Sequence, residues 1–371
     1  MTSPKPITIF HTHISERAIE RVSAVLRSTW VNEGAEVKQF ESELARVLGV
    51  SHPVTVNCAT SGLHLALAQS GVGEGDEVAL PAQTFVATGL VILMQRATPV
   101  FVDIDPHTGN MSPSDLARKI TPRTKAVMPV HWGGYPCDLD EINRIAGEHS
   151  LTVIEDAAHA LGATYKGKPI GSVSRYAAFS FQAIKHLTTG DGGMLCCLNE
   201  ADAHEAKVRR LYGIDRDDKH RTRHGDLRSD ISVLGYKYHM NNIAAAIGLG
   251  NIEDFPQRLA RRREIARHYR ERFARVPGLE LLESQPDREH AYWLFTVLVE
   301  RREQFTARLA EAGIQTSVVD LSIDRNTIFG GHRVELPGQE LFNSRQISIP
   351  VHEGLDDDDV ERIITCVARG W

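Results

Sequence analysis

The chain has 371 residues, with 42 lysines and arginines against 48 aspartates and glutamates, and a formal net charge of −6. This length corresponds to about two domains of about 150 residues each, with ample surface to bury. Hydrophobic residues make up 42% and charged residues 24%, which excludes an intrinsically disordered chain and is typical of a globular enzyme. The mild acidity argues against a protein dedicated to binding nucleic acid or an anionic membrane.

Targeting and membrane signals are not apparent in the sequence. No run approaches the roughly 20 consecutive apolar residues of a membrane-spanning helix. The opening residues, MTSPKP, lack the apolar core of a signal peptide. The five cysteines are odd in number and include no CxxC pair, which excludes a disulfide framework and a cysteine-rich zinc site. We therefore expect a cytoplasmic protein.

The first 200 residues alternate between two kinds of pattern. Residues 16–27 and 37–48 have apolar positions at helical spacing and predict amphipathic helices. Short apolar runs, each followed by a helical pattern, lie at residues 78–80, 99–102, 126–130, 151–154 and 193–198. Buried strands separated by helices are typical of βαβ units. The sequence therefore predicts an α/β fold with a mostly parallel central sheet flanked by helices.

The pattern changes near residue 250. An arginine-rich helical stretch at 255–276 precedes an alternating strand at 292–299 and a helix at 302–312. Residues 355–369 predict a last helix, whose acidic start places negative charge where the helix dipole favours it. We therefore predict a large α/β domain over residues 1–250, whose N-terminal segment is free to pack on a smaller α+β domain over residues 251–371.

The segment 178–193 joins the end of one predicted strand to the start of the next and contains one lysine, Lys185. Lysine avoids half-buried positions unless it is paired or functional, because desolvation disfavours the ammonium form. Schiff-base chemistry needs a lysine with a lowered pKa, since only the neutral amine attacks a carbonyl. The alternative is an exposed loop lysine, and this segment alone favours neither interpretation.

Residues 153–162 place a carboxylate, Asp156, at the C-terminal end of a predicted strand. Open α/β sheets bind ligands at that end of their strands. A carboxylate there can hold the protonated nitrogen of a pyridine ring, which makes pyridoxal phosphate (PLP) an electron sink. The alternative is that Asp156 caps a helix beginning at Ala157.

Two further segments follow predicted strands and carry weaker signals. Residues 56–67 open an amphipathic helix through a polar turn with Thr60 and Ser61, where free N–H groups and hydroxyls suit a phosphate. An ordinary capped helix gives the same pattern. Residues 81–88 place Phe85 just past a strand, where it can stack on a flat ring. Core packing is the alternative for Phe85.

Three other patterns do not predict a site. The glycines of residues 71–76 have the wrong spacing for a dinucleotide loop and precede a strand. His11 and His13 lack a third ligand at a suitable spacing, so we expect no metal site. The arginines between residues 258 and 275 accompany an apolar stripe at helical spacing. They predict the solvated face of an interdomain helix and not an RNA-binding surface.

Taken together, these segments resemble the PLP-dependent sugar aminotransferases of the DegT/DnrJ/EryC1/StrS family. The similar motifs lie at residues 30–34, 40–41, 57–67, 81–88, 100–105, 129–131, 155–159, 178–193 and 347–350. Their order, and the 29-residue step from Asp156 to Lys185, fit the family. The resemblance implies a fold-type I PLP-dependent transferase with PLP as its cofactor.

The resemblance also implies roles for individual residues. Lys185 would form the Schiff base with PLP and then carry a proton between the α-carbon of the amino donor and C4′ of the cofactor. Asp156 would hold the pyridinium nitrogen. Ser180, with Thr60 and Ser61, would bind the phosphate.

Three more positions follow from the same resemblance. Phe85 would stack on the cofactor ring, and His159, where the family often has Gln, would donate a hydrogen bond to its phenolic oxygen. Many members carry Gly-Tyr-Asn-x-Arg where this chain has GYKYHMN at residues 235–241. In the family that loop reaches the active site of the neighbouring subunit and its Asn contacts the phosphate. Lys237 would make a charge contact there instead, within a homodimer that shares its active sites.

We therefore predict an aminotransferase that moves an amino group from an amino acid, with L-glutamate expected, to a keto group of a nucleotide-linked sugar. The expected acceptor is a 4-keto-6-deoxy sugar, and a keto-cyclitol of the inosose type is the alternative. Ketosugar dehydratases of the family carry His in place of the Schiff-base lysine. Here His186 follows Lys185, but alignment from either end of the loop places Lys185 at that position. A non-catalytic protein that binds PLP or a nucleotide is a further alternative, although such a protein needs no Schiff-base lysine.

Overall fold

The computed structural model describes residues 5–216, 230–331 and 335–371. The helices of these residues are α1 Glu16–Ser28, α2 Ala35–Leu48, α3 Ala59–Gln69, α4 Val86–Met94, α5 Pro113–Lys119, α6 Leu139–Glu148, α7 Glu200–Arg209, α8 Asn242–Asn251, α9 Phe255–Phe273, α10 Arg302–Glu311, α11 Pro337–Arg345 and α12 Asp357–Ala368. The strands are β1 Pro53–Val56, β2 Glu77–Pro81, β3 Thr98–Val102, β4 Thr124–Val127, β5 Thr152–Asp156, β6 Thr164–Tyr165, β7 Lys168–Pro169, β8 Tyr176–Ser180, β9 Gly193–Cys197, β10 Leu279–Leu281, β11 Arg288–Glu289, β12 Phe295–Val299 and β13 Gln346–Ile349. None of the described helices combines the length and apolar character needed to cross a membrane.

A seven-stranded sheet forms the centre of the molecule, in the order β1-β9-β8-β5-β4-β2-β3. Strands β3, β2, β4, β5 and β8 pair in parallel, and β9 runs antiparallel to both of its neighbours. Most of these strands are buried along their whole length, as expected for a sheet covered on both faces. The predicted α/β fold with a mostly parallel sheet is confirmed.

Side chains from alternate strand positions enter two different apolar clusters, one on each face of the sheet. Val127 and Phe179 pack in the cluster that contains Phe40 of α2. Ala126 and Ala178 pack in the cluster that contains residues of α3 and α4. The period of two along each strand therefore produces a three-layer arrangement of helices, sheet and helices.

The topology brings four of the predicted segments to one edge of the sheet. Strands β2, β5 and β8 are parallel, so their carboxyl ends lie together. β1 runs antiparallel to β9, which is itself antiparallel to β8, so the end of β1 lies at the same edge. Asp156 is the last residue of β5, and the segments that follow the other three strands contain Phe85, Lys185 and the start of α3. This edge is where ligands bind in open α/β sheets.

A second sheet, β10-β12-β13, is antiparallel and packs with α9, α10 and α12 around a separate apolar cluster. Ile7 of the N-terminal segment joins this cluster and forms a β-bridge with Ile314. The predicted strand at 292–299 begins only at Phe295, because Tyr292 has a φ of 50°, outside the extended range. The proposed division between residues 250 and 251 falls at the end of α8, and it stays a prediction.

The arginine-rich helix α9 corrects one prediction. Its apolar stripe is buried as expected, but Arg258 and Arg262 are buried with it and do not form a solvated face. Arg262 pairs with the buried Glu353 at 2.9 Å, and Arg258 donates to the main-chain oxygen of His186. Guanidinium groups can be buried where carboxylates and carbonyls satisfy their donors. Helix α9 thus contacts the loop that carries Lys185.

Gly193 allows the start of β9 to approach the N-terminus of α3. A Cβ at this position would lie 2.5 Å from the main-chain nitrogen of Ala59 and 2.8 Å from the main-chain oxygen of Phe179. Both contacts are with backbone, which cannot move aside as a flexible side chain can. Only glycine therefore fits between the end of β8 and the first turn of α3.

We predict that Gly193→Ala lowers the free energy of unfolding by about 1–3 kcal/mol, because overpacking forces the backbone to shift. Gly73→Ala is the matched control, since a Cβ at Gly73 would meet no atom within 4 Å and the φ of Gly73 is not left-handed. Urea unfolding followed by circular dichroism measures both variants. Equal stability of Gly193→Ala and Gly73→Ala would contradict the packing account.

Candidate active site

Lys185 lies on the loop between β8 and β9, and the loop is fixed at several points. Its main-chain nitrogen donates to the oxygen of Gln182 at 2.9 Å. The neighbouring His186 is buried, and its Nε2 bonds the main-chain oxygen of Ala291 at 2.9 Å. Arg258 of α9 holds the main-chain oxygen of His186. These contacts fix the backbone from which the side chain of Lys185 extends.

The amine of Lys185 lies over an indole and feels the charges of two carboxylates. Its Nζ lies 3.4 Å from the ring centroid of Trp293. Burial lowers the pKa of Lys185 to about 7, while the charges of Asp156 and Asp320 act in the opposite direction. A large fraction of the amine is therefore neutral near pH 7, which is the form that attacks a carbonyl. The alternative of an ordinary exposed lysine does not describe this environment.

Asp156 ends β5 and is buried. Its Oδ2 accepts a hydrogen bond of 2.6 Å from the Thr88 hydroxyl, which lies 2.7 Å from the hydroxyl of Thr84. Its Oδ1 accepts from the main-chain nitrogen of Ala158 at 3.1 Å. Residues 157–163, all of them described, form turns and no helix. The helix-cap alternative for Asp156 is therefore wrong, and the carboxylate is instead held at the edge of the sheet.

His159 lies three residues after Asp156 and packs against Trp293. The imidazole stacks on the indole with a centroid distance of 3.8 Å and an angle of 23°. Burial, followed by the charges of Lys185, His186 and His131, holds the pKa of His159 well below its usual range, so the ring is neutral near pH 7. Its Nδ1 is buried and finds no hydrogen-bond partner in the described part of the chain. A buried polar atom of this kind is available to a ligand.

The first turn of α3 presents main-chain N–H groups without a side-chain cap. Thr60 is half-buried on this turn, and the hydroxyl of Ser61 bonds Oδ1 of Asn57 at 2.6 Å. Ser180 ends β8 opposite Gly193, and its Oγ accepts from the main-chain nitrogen of Gln182 at 3.3 Å. Hydroxyls and a helix N-terminus therefore lie at one place, which suits an anion.

The structure places the two remaining predicted residues on the surface of the chain. Phe85 precedes α4 and is 58% exposed, so core packing does not describe it. Lys237 is also exposed, and its main-chain oxygen accepts a 3.4 Å hydrogen bond from the side chain of Asn57. The loop of Lys237 therefore borders the first turn of α3, while the side chains of both residues face outward.

Trp293 and Asp320 belong to this site, but they were not identified from the sequence. Trp293 lies inside the predicted strand at 292–299 and two residues before the observed β12, where an aromatic residue resembles any core residue. The main-chain oxygen of Asp320 accepts bonds of 3.2 and 3.3 Å from the amides of Gln83 and Gln346. Its neighbour Val319 has a φ of 63°, which is unusual for a β-branched residue and is found where strain serves a site.

These residues fit PLP. Asp156 offers a buried carboxylate for a ring nitrogen, His159 offers a free buried nitrogen, and the first turn of α3 offers an anion site. Lys185 offers an amine that is partly neutral near pH 7. No group of histidine, cysteine and acidic side chains in the described ranges has the arrangement of a metal site.

Comparison with known proteins gives the family of the chain. The model of the DegT/DnrJ/EryC1/StrS aminotransferase family matches residues 12–368. The spore coat polysaccharide biosynthesis protein SpsC of Bacillus subtilis is 38% identical, over 95% of this chain and 94% of that protein. The sugar aminotransferase CalS13 from Micromonospora echinospora has a TM-score of 0.93 and 37% identity, covering 98% of this chain and 100% of CalS13. Spr1654 from Streptococcus pneumoniae, solved in a PLP form, has a TM-score of 0.90 and 30% identity, covering 98% of each chain. The chain therefore belongs to the DegT/DnrJ/EryC1/StrS aminotransferase family and is a PLP-dependent aminotransferase.

Proposed function

We propose that this enzyme transfers the amino group of L-glutamate to the keto group of a nucleotide-linked 4-keto-6-deoxy sugar. The observation that carries the proposal is the amine of Lys185, which lies over the Trp293 indole and whose pKa burial lowers to about 7 against the charges of Asp156 and Asp320. The similarity to CalS13, which is described as a sugar aminotransferase, supports a sugar as the acceptor. We place the reaction in the cytoplasm, where nucleotide-linked sugars are available.

PLP, when bound, supplies the electron sink that stabilises negative charge at the α-carbon of the amino donor. Asp156 holds the proton of the ring nitrogen, because a buried carboxylate forms a strong charge-assisted hydrogen bond. The donors of Thr88 and Ala158 fix the direction of its two oxygens. Asp156 thereby keeps the ring nitrogen protonated, which maintains the electron sink.

Lys185 would hold the cofactor through its neutral amine, and the same Nζ would carry the proton that leaves the amino donor. Burial keeps the pKa of Lys185 at about 7, so the amine can both accept and give up a proton near neutral pH. The hydrogen bonds of the loop hold this segment in one place, which a proton carrier needs.

The remaining predicted residues bind and orient the cofactor. Thr60, Ser61 and Ser180 bind the phosphate together with the N–H groups of α3. The Nδ1 of His159, which is buried without a partner among the described residues, would hydrogen-bond the phenolic oxygen of the ring. Phe85 stacks on the ring from its exposed position.

We also propose a homodimer that shares its active sites. Exposed apolar side chains surround the predicted cross-subunit loop, and clusters of this kind are typical of interaction surfaces. The exposed residues are Trp30, Val31, Ile231 and Leu234. Trp30 and Val31 are held against this region by hydrogen bonds from Asn242 to their main-chain oxygens. A second copy of the chain would cover this surface and bring Lys237 to the phosphate site of the partner subunit.

The acceptor is tested by a substrate panel with L-glutamate as donor. We expect amination of a nucleotide-linked 4-keto-6-deoxy sugar, measured by mass spectrometry, with kcat/KM at least about tenfold above that for an inosose, since contacts to the nucleotide add binding energy. The 3-keto isomer of the same nucleotide sugar controls for the position of the carbonyl. Turnover of the inosose alone would overturn the nucleotide-sugar proposal.

Shared active sites are tested with purified hybrid dimers, assayed at limiting PLP. Lys237→Ala loses the charge contact to the phosphate, worth about 1.5–3 kcal/mol, and should bind PLP about 10-fold or more weakly. A hybrid of Lys185→Ala with Lys237→Ala should regain activity, because one of its two sites contains both lysines. The control hybrid combines wild-type chain with the double variant and should have no intact site. Activity in the control hybrid, and none in the first, would show that each site is formed by one chain.

A further inference from the structure

Trp293 makes two separate contacts with the loop of the catalytic lysine. The Nζ of Lys185 lies 3.4 Å from its ring centroid, directly over the π face. The Nε1 of Trp293 donates a 3.0 Å hydrogen bond to the main-chain oxygen of Ile184, the residue before Lys185. One indole therefore holds both the backbone and the side-chain tip of the lysine segment.

The indole is itself fixed from other directions. His159 stacks on it at 3.8 Å, and Phe10 of the N-terminal segment stacks on it at 5.3 Å with an angle of 20°. Only 4% of Trp293 is exposed. The main-chain nitrogen of the following Leu294 donates to Gly133 at 3.1 Å. An aromatic ring restrained on so many sides is a rigid support.

We propose that Trp293 is a positioning residue for Lys185, whose indole face receives the lysine amine whenever that amine is free of the cofactor. The inference rests on the proposed role of Lys185. The π face attracts the ammonium form, which a purely apolar wall of the same size would not do. The hydrogen bond to Ile184 keeps the face in register with the amine, so the released lysine stays where the next proton transfer needs it.

Other charges face the amine from several elements and must be considered together. Asp156 at the end of β5 and Asp320 between α10 and α11 favour the ammonium form of Lys185. His159 and His186 are buried near the amine. Burial holds the pKa of both histidines well below their usual range, so they carry no charge near pH 7. His159 stacks on the indole but carries no charge near pH 7, so replacing Trp293 removes no charge beside the amine. A change in the titration of Lys185 then reports on the indole.

The test measures the titration of Lys185 in the full-length protein freed of PLP. Trace labelling with acetic anhydride across pH, quantified by peptide mass spectrometry, reports the neutral fraction of Lys185, with the exposed Lys166 as internal reference. The wild-type midpoint should lie near pH 7. Trp293→Leu keeps the wall apolar and removes the π face, so the midpoint should fall by about half to one pH unit. Trp293→Phe keeps a weaker π face, so its midpoint should lie between those of the wild type and Trp293→Leu.

Trp371→Phe is the matched control. In the wild type, Nε1 of Trp371 donates to the main-chain oxygen of Glu300 at 2.7 Å. The variant therefore loses an indole hydrogen bond like that of Trp293, at a site away from Lys185. Its midpoint should equal that of the wild type. An unchanged or raised midpoint in Trp293→Leu overturns the proposal. The labelling needs neither PLP nor substrate, so failure of wild-type protein to bind PLP would count against the proposed function and not against the role of Trp293.

Discussion

Burial of one amine is the constraint on which the rest of the site depends. An ammonium group is strongly disfavoured away from water, and a neutral amine is what cofactor capture requires. The protein removes water with Trp293 and limits the resulting shift with the carboxylates of Asp156 and Asp320. The balance holds the pKa of Lys185 at about 7, so that neither form of the amine dominates near neutral pH. A lysine on an open loop would be almost entirely protonated there.

The C-terminal part of the chain supports this amine from a distance. Arg258 of α9 holds the loop at His186, and Arg262 fixes Glu353, which lies close to Arg258. Trp293, which bonds the loop at Ile184, lies in the segment just before β12. The catalytic loop therefore depends on the packing of the second sheet as well as the first, because Arg258, Ala291 and Trp293, which all hold it, lie beyond residue 250. Changes in the packing of α9 are expected to alter the position of Lys185 without touching the site.

The sequence predicts the parts of the site that local pattern encodes. Strand ends followed by polar turns place Asp156 and Lys185 at one edge of the sheet, since parallel strands end together. It does not predict Trp293 or Asp320, because their spacing to Lys185 is set by folding of distant segments. It also misplaces the arginines of α9, because helical periodicity locates the apolar stripe and cannot show which guanidinium groups find buried carbonyls. The left-handed Tyr292 similarly shortens a strand that alternation alone extends.

The half-reaction with the amino donor tests most directly whether Lys185 carries the proton between the donor and the cofactor. The absorbance of purified protein with PLP is recorded before and after addition of L-glutamate. The account predicts that the yellow absorbance of the wild type and of the control Lys166→Ala falls as PLP is converted to its amine form. Lys185→Ala should fold normally and convert PLP at least about 10³-fold more slowly, because it lacks the proton carrier. Conversion by Lys185→Ala at the wild-type rate would contradict the account.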